Sequence, residues 1–292
     1  MTGYKLSNHS HNLAEGIIWD HHVELVLFVD ILSMKLFRMH PISLDITDEY
    51  IFDEYVCWVQ LTNNKNIYLL GMQSGLAIFN IKTCEIKYLN KDIPQHTSQR
   101  LNDSFVDLFG RVWYGSMEHE SSDMLSGVLV SYSSKIKIII HDDGYGVTNG
   151  PIINHEGSHL FHTDSLKGVI YRFSLQLQDA ELTDKIIFLQ FDPNYGVPDG
   201  MCFDKKGNIY VAIWGGGRVN KYNSLGEFIY SYKLPAKYVT NISFGGKLLD
   251  KLFVTTAIHD EGNSTGSQLK NGYVFEVLDH NSQGVLMNEY LI

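Results

Sequence analysis

The chain has only 6 prolines and 3 cysteines among 292 residues, and its basic residues, 23 Lys and Arg, are outnumbered by 33 Asp and Glu. A net charge of −10 leaves no basic face for a phosphate backbone, so nucleic acid is not an expected partner. Cys57, Cys84 and Cys202 are odd in number and lack CxxC spacing. That excludes a disulfide framework and a thiolate zinc site, and all three are expected to be buried thiols. Long apolar runs are also missing. Stretches such as 23–32 are broken by charge and fall short of the roughly 20 residues a membrane span needs. The polar start at 1–12 shows no signal-peptide core, so the expected setting is soluble and cytoplasmic, without a membrane partner.

What the chain does have is 44% hydrophobic residues, 12% aromatics and 25 glycines, a composition suited to many short strands joined by tight turns. One pattern recurs six times: a β-rich segment with an aromatic, a turn, and a second β-rich segment. The aromatics are Phe28, Tyr68, Trp113, Phe161, Tyr210 and Phe253, spaced by 40, 45, 48, 49 and 43 residues. The second segments, MKLFRM, GLAIFN, GVLVSY, GVIYRF, GRVNKY and GYVFEV, are also strand-like, several of them alternating with period two. Turn chemistry between the segments includes Asp164 to Gly168 and Gly215-Gly216-Gly217. No sustained 3.6-residue stripe is present, so helix should be scarce. The expected fold is all-β, a six-bladed β-propeller in one domain spanning 1–292. Some propellers close the ring by pairing an N-terminal strand with the last blade, and the final segment, 284–292, is a candidate to take part here.

In a propeller the innermost strand of each blade lines the channel, so residues at one offset before each repeat aromatic should occupy equivalent places. Glu15, Asn102, Asn149, Asp199 and Asn241 lie 13, 11, 12, 11 and 12 residues ahead of their aromatics, while the second repeat has Val56 and Cys57 there. Carboxylates and carboxamides in one register make an oxygen-rich set suited to a hard divalent cation. Taken singly, Asn149-Gly150, Asp199-Gly200 and Asn102-Asp103 are equally ordinary turn residues. It is the shared offset that favours a ring.

These segments carry a distributed resemblance. AEGIIWD at Glu15, RLNDSFVDLFGRVWYGSM from Arg100, GVTNGPIINHEGSHLFHTDSLKGVIYRF around Asn149, GVPDGMCFDKKGNIYVAIWGGGRV around Asp199 and NISFGGKLLDKLFVTTA from Asn241 follow one another in order. Together they resemble the senescence marker protein (regucalcin)/gluconolactonase/luciferin-regenerating enzyme family. The resemblance implies a six-bladed propeller with one divalent metal held by Glu15, Asn149 and Asp199. It also implies lactone hydrolysis, with Arg100, Asn102 and Glu120 at substrate-contacting positions. Two departures stand out: Ile17 where the family often has proline, and Ser104-Phe105 where it commonly has Gly-Lys.

The expected activity is therefore metal-assisted opening of a sugar lactone, with Asp199 as the base that takes a proton from water. The oxygen ligands admit calcium, zinc, manganese or magnesium, and the lactone and the oligomeric state stay open. A non-catalytic propeller that binds calcium or a partner, and an esterase acting on another cyclic substrate, are the competing readings. Other motifs carry less. Gly262 to Gly266 fits GxSxG but sits in a polar stretch without the strand and helix that a nucleophile elbow needs. Gly215 to Arg218 lacks the Lys-Ser/Thr of a phosphate loop. His9, His11, His21 and His22, near the terminus, are expected to be solvent-exposed.

Overall fold

The computed structural model describes residues 2–93, 98–119, 124–135, 137–259 and 269–292. These residues form six four-stranded sheets. Five are meanders of consecutive strands, and each recurrent segment falls where the repeat predicts. The six aromatics lie on the second strands, for example Phe28 on Leu25–Asp30 and Trp113 on Val112–Glu118, and all six are buried. The second segments supply the third strands, such as Gly75–Asn80 and Arg218–Tyr222. Among the described residues the helix content is a single 3-10 turn, Pro193–Tyr195.

The chain divides into two compact units. One comprises Met1–Asp53 and Asp192–Leu286 and holds the first, fifth and sixth sheets. The other comprises Glu54–Phe191 and Met287–Ile292 and holds the second, third and fourth. Within each unit the core lies between the faces of neighbouring sheets. Phe28, Phe37 and Trp19 of the first sheet pack with Phe253 of the sixth, and Trp113 and Leu129 of the third pack with Leu160 and Phe173 of the fourth. Each such side chain contributes about 1.5–3 kcal/mol on burial. Burial fades outward along a sheet: Ala14–Asp20 is buried throughout, while the fourth strand Ile46–Ile51 alternates between half-buried and exposed.

The sixth sheet is completed by the N-terminal strand, with Tyr4 opposite Val277 and Leu6 opposite Phe275. The final segment therefore does not supply that strand. Instead Gly284 N donates to Leu249 O at 2.8 Å in the first unit, and Tyr290 bridges Thr62 in the second. The reason is length of pairing: Tyr4–Leu6 offers three consecutive partners, whereas the C-terminal residues make isolated bonds.

The hairpins reuse a four-residue Asp/Asn-x-x-Gly turn. Asp107 Oδ1 accepts from the Phe109 and Arg111 amides, and Asp204 Oδ1 accepts from those of Lys206 and Asn208, with Gly110 and Gly207 at positive φ. Gly71 answers a different demand. It pairs with Trp58, and a Cβ there would lie 2.1 Å from the buried indole.

Two expectations need correction. Only Cys57 is a buried thiol. Cys84 is exposed because it sits at positive φ in the turn after Asn80, and Cys202 is half-buried. His11 is not exposed either: its ring packs edge-on to Phe28 and Phe37, 4.9 and 4.7 Å away, filling space beside the first sheet. His21 is half-buried, whereas His9 and His22 are exposed as expected.

Burial lowers the His11 imidazole to about 4 despite nearby Asp30. Burial, with Arg111 adding to it, lowers His141 to about 4, and burial lowers His162 to about 3. The unfolded chain takes up these protons near pH 6.5, so stability present above that pH is lost as pH falls toward 4. Equilibrium unfolding between pH 7 and 4 should steepen accordingly, and His162→Leu should reduce the slope by about 1.4 kcal/mol per pH unit. Gly71→Ala should cost about 1–3 kcal/mol of unfolding free energy, read by denaturant titration, because the indole cannot move away cheaply.

Candidate active site

All six innermost strands carry a break in ladder register near their start. The breaks lie between Glu15 and Ile18, Val56 and Trp58, Leu101 and Ser104, Asn149 and Ile152, Pro198 and Met201, and Val239 and Ile242. A bulge releases residues from the regular ladder and re-aims their side chains. Glu15 and Asn149 stand at the edge of their bulges, whereas Asn102, Asp199 and Asn241 fall inside theirs. All five are buried. In the second sheet the place is filled by Val56 and Cys57, both fully enclosed, so that position is apolar.

In the first unit, Glu15, Asp199 and Asn241 form one neighbourhood. Glu15 Oε2 accepts from Gly16 N at 3.0 Å and from Asn241 Nδ2 at 3.1 Å. Asn241 is itself fixed: its backbone N donates to Thr255 Oγ1, and its side-chain Oδ1 accepts from Ile242 N at 2.8 Å. Gly200, directly after Asp199, presses on the same side chain. A Cβ at Gly200 would lie 2.5 Å from Asn241 Cγ, so only glycine lets the Asp199 backbone come this close. Asn241 thus links the two carboxylate-bearing strands.

In the second unit, Arg100, Asn102 and Asn149 form a relay. Arg100 Nη1 donates to Asn102 Oδ1 at 2.5 Å and to Leu101 O at 3.0 Å. Asn102 Nδ2 donates to Asn149 Oδ1 at 2.8 Å and to the Thr148 carbonyl. Asn149 Nδ2 donates to Ser165 Oγ at 2.9 Å, which sets the amide so that its oxygen is the atom turned to Asn102. Asp103 Oδ2 accepts from Gly150 N at 3.0 Å and ties the same two strands. Ser104, one of the departures noted above, accepts from Gln60 Nε2 at its carbonyl and hydroxyl, 3.0 and 3.1 Å away.

Glu120 and the Gly262 to Gly266 motif lie outside the described residues. Sequence reasoning found Asn241 by its offset but gave it no role, and it missed Ser165 and Thr255. The Asp164 to Gly168 turn was legible, yet the contact of its second residue with Asn149 has no linear signature. Each unit separately offers oxygen donors of the kind a hard cation takes: carboxylates at Glu15 and Asp199 in the first, and in the second an amide oxygen at Asn149 whose nitrogen is already engaged.

The profile described as SMP-30/Gluconolactonase/LRE-like region matches residues 13–258. The pentonolactonase XacC of Haloferax volcanii is 27% identical over 266 residues, 91% of this chain and 89% of that protein. A luciferin-regenerating enzyme structure superposes with a TM-score of 0.93 at 22% identity, covering 100% of both chains. A structure titled as a calcium-binding protein, regucalcin, from Agrobacterium tumefaciens gives 0.90 at 21% identity, covering 97% of this chain and 95% of that one. The likeness shows the fold, and the six four-stranded sheets are the blades of a six-bladed β-propeller.

Proposed function

Because the chain belongs to the SMP-30/gluconolactonase/LRE-like family, we propose that it is a metal-dependent hydrolase that opens a sugar lactone. In this reading residues 1–292 act as one propeller domain, and a divalent cation is held by Glu15, Asn149 and Asp199. The observation that carries it is the shared bulge on the inner strands, which buries carboxylates and carboxamides at equivalent places where a β-core ordinarily puts apolar side chains. Burying such groups is costly unless each has a partner or a ligand to serve. The pentonolactonase relative supports the substrate class, and the calcium-binding structural neighbour supports the metal.

When bound, the cation would polarise the lactone carbonyl and lower the cost of the developing oxyanion. The chain's own residues do the rest. Asp199 takes the proton from the attacking water, a role that suits a buried carboxylate fixed beside Gly200. Asn241 holds Glu15 through its amide, and Ser165 holds Asn149, so both oxygen ligands keep one orientation. Arg100 and Asn102 hydrogen-bond the sugar and fix its attitude to the water. Glu120 is assigned to substrate contact by the resemblance.

Hydrolysis of a panel of aldonolactones, after chelation and after reloading with calcium, zinc, manganese or magnesium, tests the proposal. Activity should vanish on chelation and return with at least one ion. Asp199→Ala should lower kcat by about 10²–10⁴-fold with the thermal unfolding cooperativity intact. Metal uptake without turnover on any lactone would sink the enzyme reading and leave a calcium-binding propeller.

A further inference from the structure

The outermost strand of a sheet presents unpaired backbone groups along its free edge, and charge within that strand keeps other chains from adding to it. Among the described residues, five of the six outermost strands are protected in this way. Asp48 and Glu49 stand within Ile46–Ile51, Lys87 within Glu85–Asn90, Asp142 within Lys137–Tyr145, Asp184 within Glu181–Gln190 and Lys5 within Tyr4–Leu6. The fifth sheet is different. Its edge, Phe228–Lys233, reads FIYSYK and holds no charge before its last residue. Phe228, Ile229 and Tyr230 are consecutive, and about half of each is open to solvent, as is most of Leu225 in the turn before them. The sheet covers only one side of the two rings: Phe228 stands edge-on to Tyr222 at 5.9 Å, and Tyr230 to Tyr232 at 4.8 Å.

The far end of this edge is closed by the chain itself. Lys233 N donates to Thr2 Oγ1 at 3.0 Å, so the stretch open to a further strand runs from Phe228 to Tyr232, with Tyr230 at its midpoint. The charges flank that midpoint evenly. Glu227 lies three residues before Tyr230 and Lys233 three after, and both are exposed. When a second copy lies antiparallel across the edge, Tyr230 faces its counterpart and Phe228 faces Tyr232. Glu227 of each copy then faces Lys233 of the other, and the two-fold axis makes this match twice. A parallel copy would instead set Glu227 against Glu227. We propose that the chain forms a two-fold dimer by antiparallel pairing of the 228–232 edges, with the two Glu227–Lys233 pairs fixing the register. The dimer is independent of the lactonase reading, because its residues lie outside the proposed site.

The mass of the full chain in solution tests this, by sedimentation or light scattering. A single-strand contact belongs to the weak class of interfaces, so about 1–200 µM is the range to cover. The mass should rise from one chain toward two across it. Tyr230→Lys sets like charges on the axis, and Lys233→Glu sets Glu against Glu227; each should weaken association about tenfold. The double variant Glu227→Lys, Lys233→Glu restores opposite charges and should recover most of the loss. Register is read by oxidation: in a Cys84→Ser background, Tyr230→Cys should form a covalent dimer, and Ile51→Cys, on the charged edge of the first sheet, should not. A single-chain mass at every concentration overturns the proposal and leaves the edge to a strand of another protein. Dimers that persist in Tyr230→Lys and Lys233→Glu, or that cross-link equally through Ile51→Cys, overturn it too, since the two copies then meet elsewhere.

Discussion

The structure depends on the bulge near the start of each innermost strand. A regular strand would send alternate residues strictly to its two faces and leave no place where a side chain is re-aimed. The break in register gives each inner strand that place, and five of the six fill it with a polar side chain. Where the second sheet fills it with Val56 and Cys57, the same backbone device carries no chemistry. Backbone and side chain are thus separable: the bulge belongs to the fold, and the residue chosen for it belongs to the site.

Polar groups held this deeply persist because the chain satisfies them in connected sets. The Asn241 side chain is bonded to Glu15 and Ile242 at once, and that of Asn102 spans Arg100, Thr148 and Asn149. A fully engaged amide has one low-energy orientation, which is what a ligand-holding group needs. The two buried arginines are held differently: among the described residues Arg100 bonds only to neutral acceptors, whereas Arg111, elsewhere in the same unit, is matched with Asp107.

The surrounding core serves this arrangement at some cost in acid tolerance. His11, His141 and His162 are packed against Phe28, Trp113 and Tyr145 as neutral aromatic bodies, so protonation opposes folding at each. Glycine does complementary work by omission. Gly71 makes room for Trp58, and Gly200 lets the strand that carries Asp199 lie against Asn241.

Much of this was legible in the chain itself. Spaced aromatics and strand segments of short period determined six four-stranded units, because alternation and turn chemistry are local properties. The common offset found Glu15, Asn102, Asn149, Asp199 and Asn241, since equivalent places on repeated hairpins recur at nearly constant distance. The small scatter in that offset, from 11 to 13, follows from hairpins of unequal length around bulges that no propensity announces. Tertiary structure alone decided the rest. It made the N-terminal strand, not the C-terminal segment, complete the sixth sheet, buried His11, exposed Cys84, joined Asn241 to Glu15 across 226 residues, and set Arg100 against Asn102. Those outcomes are contacts between distant segments, and a linear pattern records which side chains exist but not which of them meet.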